Sequence, residues 1–261
     1  MRLIPLGING YLPINGRHTS CFLVLFEDAA FMLDAGTGAA RLHEPSIQAL
    51  LEPYRELHLL LSHYHVDHSV GLYYAFTAWR KGTLHIHAPV CPYIQADPVE
   101  AIRRYFSPPL NSYLLDKTTI QIHSLNQAKV RIGGHDVQVW PQKHPGGSVG
   151  LKFDDALAYV TDTVVMPENA SQVRGVKVLL HELWLNDADA AEQESENQRH
   201  ACFGPVAKFV KDTRPGLMMP VHLYPHYSDE ALKQMAKSLQ DAAGVDVELP
   251  EECREYTIDV T

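Results

Sequence analysis

His63-Tyr64-His65-Val66-Asp67-His68 places three imidazoles and a carboxylate within six residues, directly after the apolar run Leu57 to Leu61. The end of a buried strand is where side chains can converge on a site without breaking the sheet. In extended backbone, residues two apart point the same way, so His63 and His65 can face one metal ion. Where the chain turns into a following helix, Asp67 and His68 can face a second position beside the first. Imidazole suits zinc and similar transition ions, and a carboxylate adds tolerance for harder ions such as manganese. Three later residues repeat this chemistry, each after an apolar strand candidate. They are His144 in His144-Pro145-Gly146-Gly147-Ser148, Asp162 in Tyr159-Val160-Thr161-Asp162-Thr163, and His222 in Met219-Pro220-Val221-His222.

The elements that must position these groups read as alternating strands and helices. Cys21 to Phe26 and Phe31 to Leu33 form a hairpin around Glu27-Asp28-Ala29-Ala30, followed by the loop Asp34 to Gly38. Pro45 to Leu51 and Val70 to Trp79 have helical apolarity, with the strand Leu57 to Leu61 between them. The strand candidates Leu84 to Ala88, Ile120 to His123, Val137 to Trp140, Leu151 to Phe153, Leu157 to Val160 and Val176 to Leu180 make the middle of the chain strand-rich. The polar stretch Asn186 to Asn197 reads as a loop or helix start, and Phe203 to Val210 as a helix. Leu217 to Val221 is a strand, Asp229 to Ala242 a helix capped by Ser228 or Asp229, and Glu255 to Val260 a closing strand. With no repeat, low-complexity tract or linker, residues 1–261 read as one domain in which helices cover sheets.

Composition narrows the class. The chain has 261 residues, 46% of them hydrophobic and 20% charged, as expected of a folded globular protein rather than a disordered or fibrous one. Its formal net charge of −9 opposes a nucleic-acid backbone, so long polynucleotides are disfavoured as the main partner. The four cysteines are far apart and form no CxxC pair, which argues against a disulfide framework or a thiolate zinc site. With no signal-like N-terminus and no long apolar span, the expectation is a soluble cytoplasmic protein without a membrane segment.

The ordered set HxHxDH, His, Asp, His resembles the metallo-β-lactamase superfamily, and the resemblance covers nearly the whole chain, including Leu33-Asp34-Ala35-Gly36-Thr37-Gly38. It implies an α/β fold, the four-layer αβ/βα sandwich, with a dinuclear metal site at the edge of the two sheets. Carried over position by position, His63, His65 and His144 hold the first of two divalent ions, zinc or manganese, and Asp67, His68 and His222 hold the second. Asp162 bridges them, its two oxygens offsetting the repulsion between two close cations. The resemblance also implies that such proteins are frequently homodimers.

Two further segments resemble the ribonuclease Z branch of that superfamily: Leu179-Leu180-His181-Glu182-Leu183 and Asn197-Gln198-Arg199-His200-Ala201. That likeness makes His200 the group that acts on the scissile phosphate and Glu182 the group that orients it, so Asp67, His200 and Glu182 are the catalytic candidates. An imidazolium can stabilise charge growing on phosphoryl and leaving oxygens and donate a proton. Only 19 positions separate Asp162 from His181, too few for the projecting arm of the branch members that process transfer RNA. The expected activity is therefore hydrolysis of a small or cyclic phosphodiester. The alternatives are lactone, thioester or sulfate-ester hydrolysis on the same metals, and an armless tRNA-processing ribonuclease. Leu183, Trp184 and Leu185 depart from the small residues usual after the branch's glutamate.

Other residues carry less. Asn15-Gly16-Arg17-His18-Thr19-Ser20 has an arginine and hydroxyls that could meet phosphate, or forms a turn with a solvated arginine. His85 and His87 sit two apart in a strand, but no third metal partner is evident, and they read as part of a half-exposed strand. His226 reads as a surface-loop residue or an entrance residue, and His18, His43, His58, His123 and His135 form no pattern. Cys21 and Cys202 read as small buried apolar side chains.

Overall fold

Strands buried on both faces need a layer on each side, and several apolar runs of this chain have no exposed residue at all: Cys21–Leu25, Ala30–Leu33 and Leu157–Val160 are buried throughout. The computed structural model describes residues 1–109, 111 and 119–260, and it meets that need with two facing sheets flanked by helices.

In chain order the elements are β1 (Arg2–Gly7), β2 (Cys21–Leu25), β3 (Ala30–Leu33), α1 (Pro45–Leu51), β4 (Glu56–Leu60), α2 (Val66–Ser69), α3 (Leu72–Ala78), β5 (Thr83–Pro89) and α4 (Pro98–Tyr105). There follow β6 (Ile120–Leu125), β7 (Lys129–Ile132), β8 (His135–Gln142), β9 (Ser148–Phe153), β10 (Leu157–Val160), α5 (Ala170–Val173) and β11 (Val178–Glu182). The chain closes with α6 (Asp187–Glu192), α7 (Glu194–Asn197), α8 (Phe203–Thr213), β12 (Leu217–Val221), α9 (Asp229–Ala243) and β13 (Tyr256–Thr257). One sheet runs β13-β1-β2-β3-β4-β5-β6 and the other β12-β11-β10-β9-β8-β7. The strands β3 to β6 are parallel, as are β10 to β12, while the hairpins β1–β2, β2–β3, β7–β8 and β8–β9 are antiparallel.

Alternating residues of each strand divide the core. Phe22, Phe31, Leu60, Phe153 and Tyr159 meet between the sheets. Leu23, Met32, Leu59 and Ile86 face the other way, onto Ile47 of α1, Leu72 of α3 and Ile102 of α4. The apolar faces of α8 and α9, Val206, Val210, Leu232 and Leu239, belong to the cluster of the second sheet. The outcome is the expected four layers, helix, sheet, sheet, helix.

Several elements differ from the sequence reading. The first strand is Arg2–Gly7, unremarkable as sequence because Pro5 and Gly7 interrupt it; the register shifts between those two residues, a bulge that accommodates the proline. Helix α4 begins at Pro98 with Asp97 as its cap, the carboxylate accepting the Glu100 N–H at 3.0 Å, and β7 is a short, largely exposed strand at a sheet edge. The stretch Asn186 to Asn197, read as a loop or a helix start, is two short helices, and the closing strand is shorter than Glu255 to Val260, being Tyr256–Thr257. Ser228, not Asp229, caps α9 by accepting from Ala231 N–H.

Gly150 of β9 lies opposite Trp140 of β8, and the indole covers the bare backbone so closely that an added Cβ would drive into the ring. Gly150→Ala is therefore expected to lower unfolding stability by about 1–3 kcal/mol, the scale of an overpacked core. Urea unfolding measures it, and an unchanged midpoint would contradict the close packing.

Candidate metal centre

The residues with metal-binding chemistry sit at the carboxyl ends of the parallel strands of both sheets. Asp34 follows β3, His63 to His68 follow β4, and Asp162 follows β10. Glu182 ends β11 and His222 follows β12. His144 enters from the end of β8, on a loop whose Gly146 and Gly147 have φ of +84° and +88°. At Gly147 a side chain would also press on the Tyr93 carbonyl, so glycine is what lets this loop pass. Asp34, Asp162 and His222 are themselves left-handed, with φ of 54°, 46° and 48°. Such backbone strain in non-glycine residues persists only where the surroundings over-determine it.

Two groups of donors result. The ligating atoms of His63, His65, His144 and Asp162 lie within 4.8 Å of one another, and so do those of Asp67, His68 and His222. Asp162 faces both. Its Oδ1 is 3.4 Å from His144 Nε2 and 3.8 Å from His63 Nε2, and its Oδ2 is 3.0 Å from His68 Nε2 and 3.1 Å from His222 Nε2. Asp67 Oδ2 stands 3.2 Å from His68 Nε2 and 3.4 Å from His222 Nε2. His63 Nε2 and His68 Nε2 are buried without a hydrogen-bond partner, although both face this cluster. Buried nitrogens left open among carboxylates and other imidazoles are what cation ligands look like, and the donor set fits divalent ions of the zinc or manganese type.

A layer of buried carboxylates holds these rings from behind. Asp34, fully buried, accepts from Ser62 N–H, Ser62 Oγ and the Tyr159 hydroxyl, each at 2.7 Å, and lies 2.7 Å from His68 Nδ1. This fixes His68 with Nε2 toward the cluster. Glu182, also fully buried, does the same for two rings. Its Oε1 is 2.5 Å from His200 Nδ1 and 2.9 Å from His222 Nδ1, while Oε2 accepts from the N–H groups of Thr163 and Ala201. Burial alone would raise the Glu182 carboxyl, but its pairing with His200 and His222 holds it well below the usual range. Burial likewise opposes charging His200, yet the Glu182 carboxylate prevails and the imidazole is shifted upward, toward its protonated form.

Trp184, one of the bulky residues after Glu182, packs flat on this pair. Its ring stacks on His200 at 4.3 Å and 21° and on His222 at 5.2 Å and 22°, and its Nε1 donates to Glu196. The bulk therefore braces Glu182's partners rather than displacing them. Above the donors opens a cleft of about 720 Å³ lined by Tyr11, Trp184, Arg199, His200 and Tyr224, with Glu192, Glu194 and Glu196 on its rim.

Every metal-site and catalytic candidate, His63, His65, Asp67, His68, His144, Asp162, Glu182, His200 and His222, is brought into this one cluster. Arg17 is not. It is buried away from the cleft, donating to Asn9 Oδ1 at 2.7 Å and to the Tyr227 carbonyl at 2.8 Å and pairing with Asp229, so it braces loops rather than meeting phosphate. His226 is an exposed loop residue, its Nε2 3.0 Å from the hydroxyl of the cleft-lining Tyr11. Asp34 and Tyr159 were not singled out as functional by sequence. The signal for Asp34 was present, a carboxylate directly after a buried strand. Nothing in the sequence marked Tyr159, a strand residue whose role depends on the two sheets facing each other.

A sandwich of two sheets with a His- and Asp-rich divalent metal centre where strands of both end defines a class of metalloprotein, and comparison with known proteins identifies it. The sequence pattern of the metallo-beta-lactamase superfamily matches residues 14–196, and the chain belongs to that superfamily. It is 29% identical over 161 residues to a ribonuclease Z of Porphyromonas gingivalis, and this match takes in 58% of the chain and 48% of that protein. The chain thus spans about half the length of that curated relative. A ribonuclease Z of Treponema pallidum is 22% identical over 289 residues, covering 90% of each protein. Among solved structures, the metallo-beta-lactamase fold protein YhfI from Bacillus subtilis superposes with a TM-score of 0.76 at 18% identity, covering 98% of both chains. No described helix is long and apolar enough to cross a membrane.

Asp34→Asn is expected to weaken divalent-metal binding about 10–100-fold, because His68 loses the anion that sets its ring. Competition with a chromophoric chelator measures this, and unchanged affinity would remove Asp34 from the site.

Proposed function

We propose that the protein is a dinuclear metal hydrolase that cleaves a small or cyclic phosphodiester, with His200 as its proton donor. The observation that carries this reading is the His200–Glu182 pair beside the metal donors. His63, His65 and His144 would hold one ion and Asp67, His68 and His222 the other, zinc or manganese, with Asp162 shared between them. When bound, the ions supply Lewis acidity, making a water nucleophilic near neutral pH and polarising the phosphoryl group.

The chain's own residues do the rest. Nδ1 of His200 is engaged by Glu182, which leaves Nε2 to donate to a substrate in the cleft that the ring lines. Held toward its charged form, the imidazolium stabilises negative charge on the phosphoryl oxygens and protonates the leaving oxygen. Trp184 and Glu182 prevent the ring from turning away, and Asp34 keeps His68 in its metal-facing tautomer. Hydrolysis of a lactone or thioester needs no such phosphate-directed cation, so the pair favours phosphate chemistry. The name ribonuclease Z borne by the sequence relatives points the same way, as does a fold neighbour described as a new diphosphatase of the PhnP family, with a TM-score of 0.68 at 13% identity.

Two features favour a small substrate over a long nucleic acid. The rim carries Glu192, Glu194 and Glu196 around Arg199, and the net charge is −9, both repulsive to a polyanion. The connection after Asp162 is short, a turn and α5 leading into β11, and it builds no arm to grip a large RNA. Four unpaired cysteines suit the reducing cytoplasm.

Hydrolysis of bis(p-nitrophenyl) phosphate by the zinc- or manganese-loaded protein tests the reading. His200→Ala at equal metal content should lose about 100-fold or more in kcat, the scale of general acid catalysis. Absence of turnover in the fully loaded parent would overturn the phosphodiester reading in favour of lactone, thioester or sulfate esters. Faster cleavage of a precursor tRNA than of any small diester would overturn the small-substrate part.

A further inference from the structure

Among the described residues Tyr11 is the only exposed phenylalanine, tyrosine or tryptophan, and it lines the cleft with 48% of its surface in water. One exposed aromatic ring means little by itself. This one ends a run of rings that leads to the proposed proton donor. Tyr11 is 6.0 Å from Trp184 between ring centroids, and Tyr224 meets the same indole edge-on at 5.1 Å and 75°. Trp184 in turn lies flat on His200 at 4.3 Å. Tyr224 is half-buried and also lines the cleft. His226 stands beside both tyrosines, its ring 5.2 Å from that of Tyr224 and its Nε2 3.0 Å from the Tyr11 hydroxyl.

The loop that carries Tyr11 is laced to the segment that carries Tyr224. Gly10 N–H donates to the Leu223 carbonyl at 2.9 Å, and Leu223 N–H to the Ile8 carbonyl at 3.0 Å. Asn15 Nδ2 donates to the Pro225 carbonyl at 2.9 Å, and the buried Arg17 reaches the Tyr227 carbonyl and Asp229. Asn9 closes the loop from inside, its Nδ2 donating to the Leu12 and Ile14 carbonyls, and Glu252 Oε1 accepts from Ile8 and His18 N–H at its base. Gly10 has no space for a side chain, because a Cβ there would strike the Trp184 ring and crowd His222. The backbone that presents Tyr11 therefore rests directly on the indole beside the metal donors. A loop braced at so many points, with a ring in water at its outer side, is an aromatic surface fixed in advance of its ligand, which lowers the entropy cost of binding.

Two fixed tyrosines select a flat π system, which stacks on them or meets them edge-on. The rim adds a second requirement. Ionised Glu192, Glu194 and Glu196 can only accept hydrogen bonds, so they favour a ring with N–H donors and oppose a further phosphate. The cleft of about 720 Å³ falls in the range of small-molecule pockets, about 300–1,000 Å³, which suits one nucleoside-sized group. The rings adjoin His200, the group assigned to the leaving oxygen, so the flat group belongs to the alcohol that leaves. We infer that Tyr11 and Tyr224 form an aromatic subsite that determines specificity. It takes a heteroaromatic ring with N–H donors, of the kind a nucleobase presents, carried by the leaving alcohol of the phosphodiester. This inference rests on the phosphodiester reading above and states which phosphodiesters fit it.

The test gives the metal-loaded full chain two substrates that differ only in the ring, adenosine 2′,3′-cyclic phosphate and methyl β-ribofuranoside 2′,3′-cyclic phosphate, and follows the products by phosphorus NMR. KM should be about tenfold lower for the adenosine compound at similar kcat, the scale of one base stacked on an aromatic side chain. Tyr11→Ala should remove most of that difference, Tyr224→Ala should reduce it, and Tyr11→Phe, which keeps the ring, should retain it. Equal KM for the two substrates in the parent protein, or a difference in Tyr11→Ala as large as in the parent, overturns the subsite and leaves the phosphodiester reading standing. Where neither cyclic phosphate is turned over, saturation-transfer NMR with adenosine decides, and because adenosine has no phosphate the result is independent of that reading. Saturation of the adenine protons by the parent protein that is lost in Tyr11→Ala supports the subsite. No saturation in the parent, or the same in both proteins, overturns it.

Discussion

Everything at the strand ends depends on buried carboxylates being surrounded by imidazole nitrogens at both faces. Asp162 is 2% exposed and has four histidines against it, two toward each oxygen. A carboxylate withdrawn from water is costly unless cations or hydrogen-bond donors replace the lost solvation. The two sheets meet that cost by ending the parallel strands β4, β10 and β12 and the antiparallel β8 at one place, so that their donors arrive within a few ångströms.

The same rule explains the second layer. A ring that offers one nitrogen to the centre must have the other nitrogen anchored, or it rotates. Asp34 anchors His68 and is itself saturated by Ser62 and by Tyr159 from the opposite sheet. Glu182 anchors His222 and His200 together, which ties a ring of the metal centre to the ring proposed to serve the leaving group. Trp184 closes the arrangement by stacking on both. A disturbance at Glu182 would reach metal binding and proton donation at once, whereas His200 can be altered with less effect on the donors.

Histidine is used in two ways here. At the strand ends it stands among carboxylates, in a cleft open to substrate. On the face of β4, β5 and β6 it stands among other histidines, with the Glu56 carboxylate at one side. Parallel strands in register make both possible, since they place equivalent positions side by side and concentrate whatever residue type occupies them.

The donor cluster was legible in sequence because its spacing is local. HxHxDH after an apolar strand encodes a direction for each side chain, and His144, Asp162 and His222 repeat the rule of a polar residue at a strand end. The four-layer fold followed from strand and helix alternation together with family resemblance. Short or interrupted elements such as Arg2–Gly7 and Lys129–Ile132 were missed, because packing rather than propensity stabilises them, and the helices between Asp187 and Asn197 were legible only as one of two alternatives. What only tertiary structure decided is which distant residues face each other. Tyr159 on Asp34, Trp184 on His200, Arg17 turned inward to Asp229, and His58 with His123 beside His85 and His87 all depend on strand register and on how two sheets stack. Periodicity along a chain specifies the side a residue faces, and only the packing of one layer against another specifies what it meets there.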